Sequence, residues 1–123
     1  MAPQARVRRG GLAVAGVVLV VAGVVIGFVG KRTADGRLAR NGFAGIRTER
    51  SMADDESWLI VHRRARPWMY ASAAAMVVGG LCALVVRSDV AAAVAVLAAA
   101  VASVLLMVGG TMAGHRELAR RRG

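Results

Sequence analysis

Three long apolar runs dominate the pattern of hydrophobic and polar positions along the chain. Residues 12–30, 68–86 and 90–113 contain no charged side chain, whereas the segments around them are rich in arginine. A helix rises about 1.5 Å per residue, so the first run reaches roughly 28 Å, close to the thickness of the hydrocarbon layer. Lipid would leave an isolated strand with unsatisfied backbone groups, which favours helix even in this valine-rich run. The pattern predicts an all-α membrane protein with three transmembrane helices.

Short polar segments set the arrangement of the second and third runs. Only residues 87–89 separate them, which predicts a tight antiparallel hairpin with Ser88 or Asp89 capping the third helix. Trp68 and Tyr70 lie at the start of the second run. Membrane proteins place an aromatic belt at this depth, so we expect the second span to enter the lipid at Trp68.

The basic N-terminal segment 1–11 allows a different interpretation of the first run, as a cleaved signal peptide. The run 12–30 is longer than the usual h-region of about 7–15 residues. It also ends at Lys31 and Arg32 without a small-residue cleavage site. We therefore expect the first helix to be retained as a span.

Composition supports lipid as the surrounding solvent. Hydrophobic residues make up 57% of the chain but aromatic residues only 4%, because the apolar runs consist mainly of Ala, Val and Gly. Such small residues let helices approach closely in a bilayer. The net charge of +10 would suggest nucleic acid in a soluble protein, but in a membrane protein basic residues flank spans and meet anionic headgroups. The predicted partner is the anionic lipid surface, and no nucleic acid is expected.

Basic side chains are distributed unequally between the two sides of the predicted bundle. The N-terminus and the turn 87–89 share one side and carry four, whereas the loop 31–67 and the basic tail 114–123 share the other and carry thirteen. The positive-inside rule then places the loop and C-terminus in the cytoplasm and the N-terminus outside. This predicts a multi-pass protein of the plasma membrane.

Small residues recur at helical spacing in each apolar run. Such rows permit close contact between helices, either within one three-helix bundle or along the seam of a homo-oligomer. The rows are Gly16, Gly23, Gly27 and Gly30 in the first run, Ala75, Gly79 and Ala83 in the second, and Ala95, Ala99 and Ser103 in the third.

The first half of the loop 31–67 is rich in glycine and has no helical periodicity. Asn and Gly permit tight turns with positive φ, so we expect Asn41 to cap a turn and Gly45 to take a left-handed conformation. Such a turn would form a compact cap over the ends of the first two spans. A β-branched side chain at Gly45 should damage it.

The second half of the loop, residues 51–66, predicts a short amphipathic helix. Ser51 and Asp54 resemble a capping box, and Pro67 disfavours straight continuation into the next span. Acidic side chains precede and basic side chains follow, as the helix dipole favours. One face of this helix could lie on the membrane. That face consists of Trp58, Leu59, His62 and Ala65.

A specific order of residues crosses the whole loop between the first two spans. The positions are Asn41, Gly45, Ile46, Arg47, Thr48, Ser51, Asp54, Glu56, Trp58, His62 and Arg63. Their order and spacing resemble the signature of the SdpI family, bacterial membrane proteins related to an immunity protein against a secreted antimicrobial peptide toxin. The resemblance implies immunity or an envelope-stress role by binding in the bacterial plasma membrane. It also implies an alternative, in which the protein sequesters a cytoplasmic regulator.

Individual signature residues have structural interpretations beside the functional ones. Arg47 has a planar fork suited to a partner or a lipid phosphate, but we expect it to pair with a nearby carboxylate and hold the loop closed. The candidates are Asp54, Asp55 and Glu56. Trp58 is predicted to be an interfacial anchor. His62 has no neighbouring Cys or second His, so no metal site is expected.

The sequence lacks the groups that catalysis or ion transport would need. No nucleophile–base pair, metal cluster or phosphate-binding glycine motif is present, and the three runs contain no ionisable Asp, Glu, Lys, Arg or His. Ionisable residues inside a membrane usually mark ion or proton pathways. We therefore expect no enzyme, no cofactor and no proton-coupled transporter. A structural accessory subunit of a larger membrane complex is a third interpretation.

Overall fold

The computed structural model describes residues 3–123, which form three long α-helices joined by a folded loop and a short turn. Helix α1 spans Pro3–Ala34, α2 spans Asp55–Val85 and α3 spans Asp89–Arg122. The described residues contain no strand. Each helix is long and apolar enough to cross a membrane, so the predicted all-α architecture with three spans is confirmed.

The outward surface of the helices is apolar along the predicted spans. Large side chains such as Val17, Val101 and Leu105 are at least half exposed. A soluble monomer rarely presents a continuous apolar surface of this extent, whereas lipid solvates it at no cost. The exposed surface therefore agrees with a multi-pass membrane protein.

Helix α2 is central and packs against α1 through glycines that admit the neighbouring backbone. A Cβ atom added to Gly16 would lie 2.9 Å from the carbonyl oxygen of Gly80, and one on Gly23 would lie 2.8 Å from that of Ala73. Gly30 is similarly buried, against Met69. The predicted glycine row of the first span thus serves packing within the bundle.

The contact between α2 and α3 also depends on small residues. Gly79 faces Ala95 and Ala99 so closely that a side chain on Gly79 would overlap Ala99. Ser72 Oγ donates a hydrogen bond of 3.1 Å to the carbonyl oxygen of Ser103. Helices α1 and α3 meet each other only sparsely, and a shallow cleft is left between them.

The turn between α2 and α3 lies beside the N-terminal end of α1. Ser88 caps α3, as one of the two predicted alternatives, by accepting a hydrogen bond of 3.2 Å from the Ala91 amide. The guanidinium of Arg9 donates to the carbonyl oxygen of Val86 and lies 3.7 Å from the Asp89 carboxylate. These contacts place the N-terminal segment and the turn at the same end of the bundle.

The prediction of a separate amphipathic helix before the second span is wrong. Residues 55–66 are helical, but they are the first turns of α2, which continues through Pro67. A proline inside a helix costs about 3 kcal/mol. Here Val61, Ala65 and Met69, on both sides of Pro67, are almost fully buried, and their packing offsets that cost. In the same way α3 continues through the predicted tail as far as Arg122.

Candidate functional site

Residues 35–54 fold back over one end of the bundle, and we call this segment the cap. Its inner side contacts the first turns of α2 and the last turns of α3. Ile46 is the buried apolar residue of the cap, and it packs in one cluster with Val61, Met69 and Leu118. The cap therefore closes the end of α3 as well as the ends of the two spans that the sequence predicts.

A tight turn begins at Asn41, as predicted. Its side-chain oxygen accepts hydrogen bonds from the amides of Phe43 and Ala44, at 2.8 and 2.9 Å. Its side-chain nitrogen donates to the carbonyl oxygen of Ala39 at 2.9 Å. Asn41 thus closes the turn by itself and leaves Phe43 95% exposed at the tip.

Gly45 takes the predicted left-handed conformation, with φ of 101°. It also lies against the two rings that α2 presents to the cap. An added Cβ would lie 2.7 Å from Cη2 of Trp58 and 2.8 Å from Nε2 of His62. Both backbone conformation and space therefore require glycine at this position.

His62 joins the cap to α2 through both ring nitrogens and is fully buried. Its Nε2 accepts a hydrogen bond of 2.8 Å from the Ile46 amide, so the proton is on Nδ1, which donates to the carbonyl oxygen of Trp58 at 2.7 Å. The residue precedes the apolar run of α2 and lies outside the membrane-spanning segment. Burial lowers its pKa, which agrees with the neutral ring that these two bonds require.

Trp58 is part of this buried junction, and its predicted role as a membrane anchor is wrong. The side chain is only 3% exposed, and its Nε1 donates to the carbonyl oxygen of Leu38 at 3.0 Å. Its ring lies 4.1 Å from that of His62 between centroids. Of the predicted lipid-facing side, Trp58 and His62 face the cap instead, because the loop supplies backbone partners that lipid lacks. Leu59 lines a groove beside α3, and Ala65 packs near the same helix.

Ser51 forms hydrogen bonds within the cap. The prediction that it forms a capping box at a helix N-terminus is wrong. Its hydroxyl is fully buried, donates to the carbonyl oxygen of Ile46 at 2.6 Å and accepts from the Thr48 amide at 2.9 Å. The Thr48 hydroxyl in turn lies 2.8 Å from Nε2 of His115 on α3. This chain of hydrogen bonds connects the cap to α3.

Asp54 is the residue that caps α2, and it also contacts the end of α3. Its carboxylate accepts from the Ser57 amide at 2.7 Å and lies 2.9 Å from the guanidinium of Arg122. The Ser57 hydrogen bonds, followed by Arg122, lower the pKa of Asp54 to about 2. The carboxylate is therefore charged at every physiological pH.

The predicted pairing of Arg47 with a carboxylate of the loop is wrong. Arg47 is exposed, and its guanidinium donates to the carbonyl oxygen of Gly42. Asp54 pairs with Arg122 and Asp55 with Arg40, at 3.3 Å. The turn at Gly45 directs the side chain of Arg47 outward, so other arginines take the carboxylates.

The remaining two signature residues, Glu56 and Arg63, lie on the first turns of α2. Arg63 donates through Nε to the carbonyl oxygen of Ala34 at 3.2 Å, which satisfies an unpaired acceptor at the C-terminus of α1. Beside it, Arg66 pairs with Asp35 at 3.2 Å. Glu56 is exposed and lines a groove together with Arg63.

Residues 37–112, more than half of the chain, match the sequence model of the SdpI/YfhL protein family. The chain belongs to the SdpI/YfhL family. No curated protein and no solved structure matches it. The match to the SdpI/YfhL family contains the whole of α2 and every signature residue between Asn41 and Arg63.

Sequence reasoning missed the contribution of α3 to this SdpI/YfhL site. His115 and Arg122 belong to the predicted basic tail 114–123, and they contact Thr48 and Asp54 of the cap. Both are more than sixty residues away along the chain, and no local pattern indicates such a contact. The only signal is that the predicted antiparallel hairpin returns the end of α3 to the side of the loop.

The inner side of the cap is occupied by its own hydrogen bonds. Within residues 3–123, no group of three His, Cys, Asp or Glu side chains is placed to hold a metal ion. The side chains that the cap presents outward include Phe43 and Arg47. The arrangement is a rigid surface with an aromatic and a cationic group on it, which is suited to binding.

Proposed function

We propose that this SdpI/YfhL protein protects a bacterial cell against an antimicrobial peptide toxin by binding the peptide within the plasma membrane. The observation that carries the proposal is an apolar hollow of about 240 Å³ between α1 and α3, bordered by the cap. Val25, Val29, Met69 and Met107 line it, and Phe43 of the cap stands at its edge.

The chemistry of this hollow suits an apolar side chain of a membrane-inserted peptide. Its walls carry no charge, and methionine side chains adapt their shape to different partners. Phe43 is almost fully exposed, and aromatic side chains are frequent anchors at binding surfaces. Because Asn41 and Gly45 fix the turn that carries Phe43, little ordering free energy would be lost on binding.

Binding, without catalysis or a cofactor, is the mode of action in this proposal. The polar signature side chains that could serve as acids, bases or nucleophiles include Ser51, Asp54 and His62, and each is engaged in hydrogen bonds within the chain. The arginine distribution favours a cytoplasmic cap. A toxin would then reach the hollow by inserting into the membrane from outside.

A second candidate function is the sequestration of a cytoplasmic regulator by the cap. The observation that favours it is the exposed guanidinium of Arg47, held outward by its hydrogen bond to Gly42. Such a planar cation recognises carboxylates and phosphates in two-point contacts. This candidate predicts a soluble protein that co-purifies with the chain.

A survival assay separates the two functions. Cells that lack the gene are challenged with a panel of secreted peptides and complemented with the wild type or with Phe43→Ala, Arg47→Ala or Arg37→Ala at equal membrane levels. Arg37 is the matched control, because it is exposed in the same segment and has no hydrogen bond or ion pair from its side chain within residues 3–123. Immunity predicts that deletion sensitises the cells and that only Phe43→Ala fails to restore protection.

The other outcomes are equally informative. Loss of a co-purifying cytoplasmic protein in Arg47→Ala, with protection retained, supports the regulator function. Unchanged survival of the deletion strain across the panel contradicts immunity.

A further inference from the structure

A second groove lies between the first turns of α2 and the last turns of α3, and we call it the arginine groove. Its volume is about 790 Å³. Five guanidinium groups line it, from Arg63, Arg64, Arg116, Arg120 and Arg121. It is separate from the apolar hollow at the cap and shares no lining residue with it.

The arginine groove has an excess of positive charge that the chain does not neutralise. Two glutamates, Glu56 and Glu117, also line it. Glu117 is already paired with Arg120 at 2.6 Å and with Arg121 at 3.0 Å.

The other three arginines of the groove form no ion pair within residues 3–123, but Arg63 is engaged by the carbonyl oxygen of Ala34, which leaves Arg64 and Arg116. Glu56 forms no ion pair there either, so five arginines face two glutamates and the groove keeps an excess of positive charge. Two uncompensated guanidinium groups in one groove suit an anion with several oxygens, because each can donate two parallel hydrogen bonds.

The position of the groove relative to the spans indicates which anion it meets. Trp68 lines the groove and is the first residue of the apolar run of α2, and Ala113 lines it as the last residue of the run of α3. Trp68 is 39% exposed and rests on Gly109 and Gly110. A tryptophan in this setting marks the depth of lipid headgroups.

Exposed apolar residues continue from the groove toward the lipid. Met112 lies one helical turn from Arg116, and Leu105 lies two turns further along the same face of α3. They are 49% and 64% exposed, respectively. An acyl chain would find a continuous apolar track directly below the two uncompensated guanidinium groups.

We propose that the arginine groove binds the phosphate of an anionic phospholipid, with Arg64 and Arg116 contacting its oxygens. The acyl chains lie past Trp68 along Met112 and Leu105. A lipid explains both the excess charge and the apolar track, whereas a free phosphate explains only the charge. This site does not depend on the proposed immunity function, because no residue of the apolar hollow takes part.

The test uses quenching of tryptophan fluorescence in the full-length chain. The protein is reconstituted into phosphatidylcholine vesicles that contain an equal small fraction of either brominated phosphatidylglycerol or brominated phosphatidylcholine. Bromine on the acyl chain quenches only nearby indole rings, so partly exposed Trp68 reports the lipid at the groove, whereas Trp58 is buried under the cap. The proposal expects stronger quenching by phosphatidylglycerol.

Paired variants distinguish a specific groove from general attraction to a basic protein. Arg64→Gln/Arg116→Gln should remove the preference for phosphatidylglycerol, by about fivefold in affinity for each arginine near the surface. Arg37→Gln/Arg50→Gln is the control, since it removes the same charge from exposed positions of the same end. It should leave most of the preference.

Three results would overturn the proposal. Equal quenching of the wild type by both brominated lipids would show that the groove does not select anionic lipid. Equal loss in both paired variants would show only diffuse electrostatic attraction. Removal of the preference by millimolar inorganic phosphate, but not by chloride at equal ionic strength, would assign the groove to a soluble anion.

Discussion

The cap and the membrane spans of this protein are stabilised in different ways. In the spans, glycines such as Gly16 and Gly80 bring helix backbones into contact, and even an added Cβ at Gly80 would lie 2.5 Å from the carbonyl oxygen of Gly16. In the cap, buried Ser51 and His62 each make directed hydrogen bonds to particular backbone groups. The cap therefore depends on directed hydrogen bonds, whereas the spans depend on close backbone approach and on residues without a bulky side chain.

This difference explains where the family signature lies. A stripe of Ala and Gly arises in many membrane helices and identifies none of them. The order from Asn41 to Arg63 is recognisable because a turn, a left-handed glycine and a buried imidazole each admit few alternatives. In this protein the signature residues lie in the polar contact between the cap and α2, whereas the apolar runs allow insertion into the membrane.

The largest expected effect on the cap comes from Gly45→Val. Valine at a φ of 101° is strained, and its side chain would overlap Trp58 and His62. Strain and overpacking together should cost the cap about 3–5 kcal/mol. Limited trypsin digestion of the reconstituted protein should show rapid cleavage in residues 35–54.

Gly42→Val provides the matched control for this variant. Gly42 lies in the same turn, and an added Cβ would meet no atom within 4 Å. Its cleavage rate should remain near that of the wild type. Normal protease resistance in Gly45→Val would contradict the role of Gly45 in closing the cap.

Gly80→Val tests the spans in the same way and should have the next largest effect. Its side chain would overlap the backbone of Gly16 and the side chain of Val20, which should separate α1 from α2 at a cost of about 1–3 kcal/mol. Unfolding by sodium dodecyl sulfate, followed by circular dichroism, measures the loss.

The cap should be unaffected by Gly80→Val, which sharpens the comparison between the two regions. Gly11→Val, at a position with nothing within 4 Å of an added Cβ, is the control. If Gly80→Val exposed the loop to trypsin as strongly as it destabilises the bundle, the two regions would not be independent.

His62→Phe removes the central hydrogen bonds of the cap while keeping an aromatic ring at this position. The Ile46 amide would lose its acceptor, and an unsatisfied buried amide costs about 1–3 kcal/mol. Trypsin cleavage of the cap should accelerate, but less than in Gly45→Val. A cleavage rate equal to that of the wild type would show that this hydrogen bond contributes nothing.

Acidification should weaken the attachment of the cap to α2, by less than His62→Phe does. Burial lowers the pKa of His62 below its ordinary value of 6.5, so its contribution is complete above that value and is lost as the pH falls through the lowered pKa. The pKa of His115 is also lowered, mainly by burial and to a smaller extent by the charge of Arg50. Cleavage by a protease active at acid pH should accelerate as the pH falls below 6.5 in the wild type, and less so in His62→Phe.

Asp54→Ala should have the smallest effect, because the carboxylate is half exposed to solvent. The substitution removes the cap of α2 and the partner of Arg122. With its pKa lowered to about 2, Asp54 contributes fully above its ordinary value of 3.8 and loses this only as the pH falls toward 2. Asp54→Ala should therefore raise the cleavage rate equally at pH 7 and pH 5, unlike His62→Phe.

Local chemistry in the sequence was sufficient to predict the three helices, the turn at Asn41 and the conformation of Gly45. The predictions were wrong where a segment distant along the chain determines the environment of a residue. Trp58 has the sequence context of a membrane anchor, but the loop folds over it and buries it. Pro67 has the sequence context of a helix break, but α2 continues through it because the residues on both sides are packed in the core. The prediction for Arg47 was wrong for the same reason, because two of its three expected carboxylates, Asp55 and Asp54, pair with Arg40 and Arg122.

The most direct test of the cap is the hydrogen exchange rate of one amide. The chain contains three isoleucines, so selective ¹⁵N-isoleucine labelling gives three signals, and Ile46 is the one that lies outside the helices. The structure predicts that the Ile46 amide exchanges slowly, because it donates to buried His62, and that His62→Phe makes it fast while Ile26 and Ile60 are unchanged. Fast exchange of Ile46 in the wild type would contradict a cap held on α2 by His62.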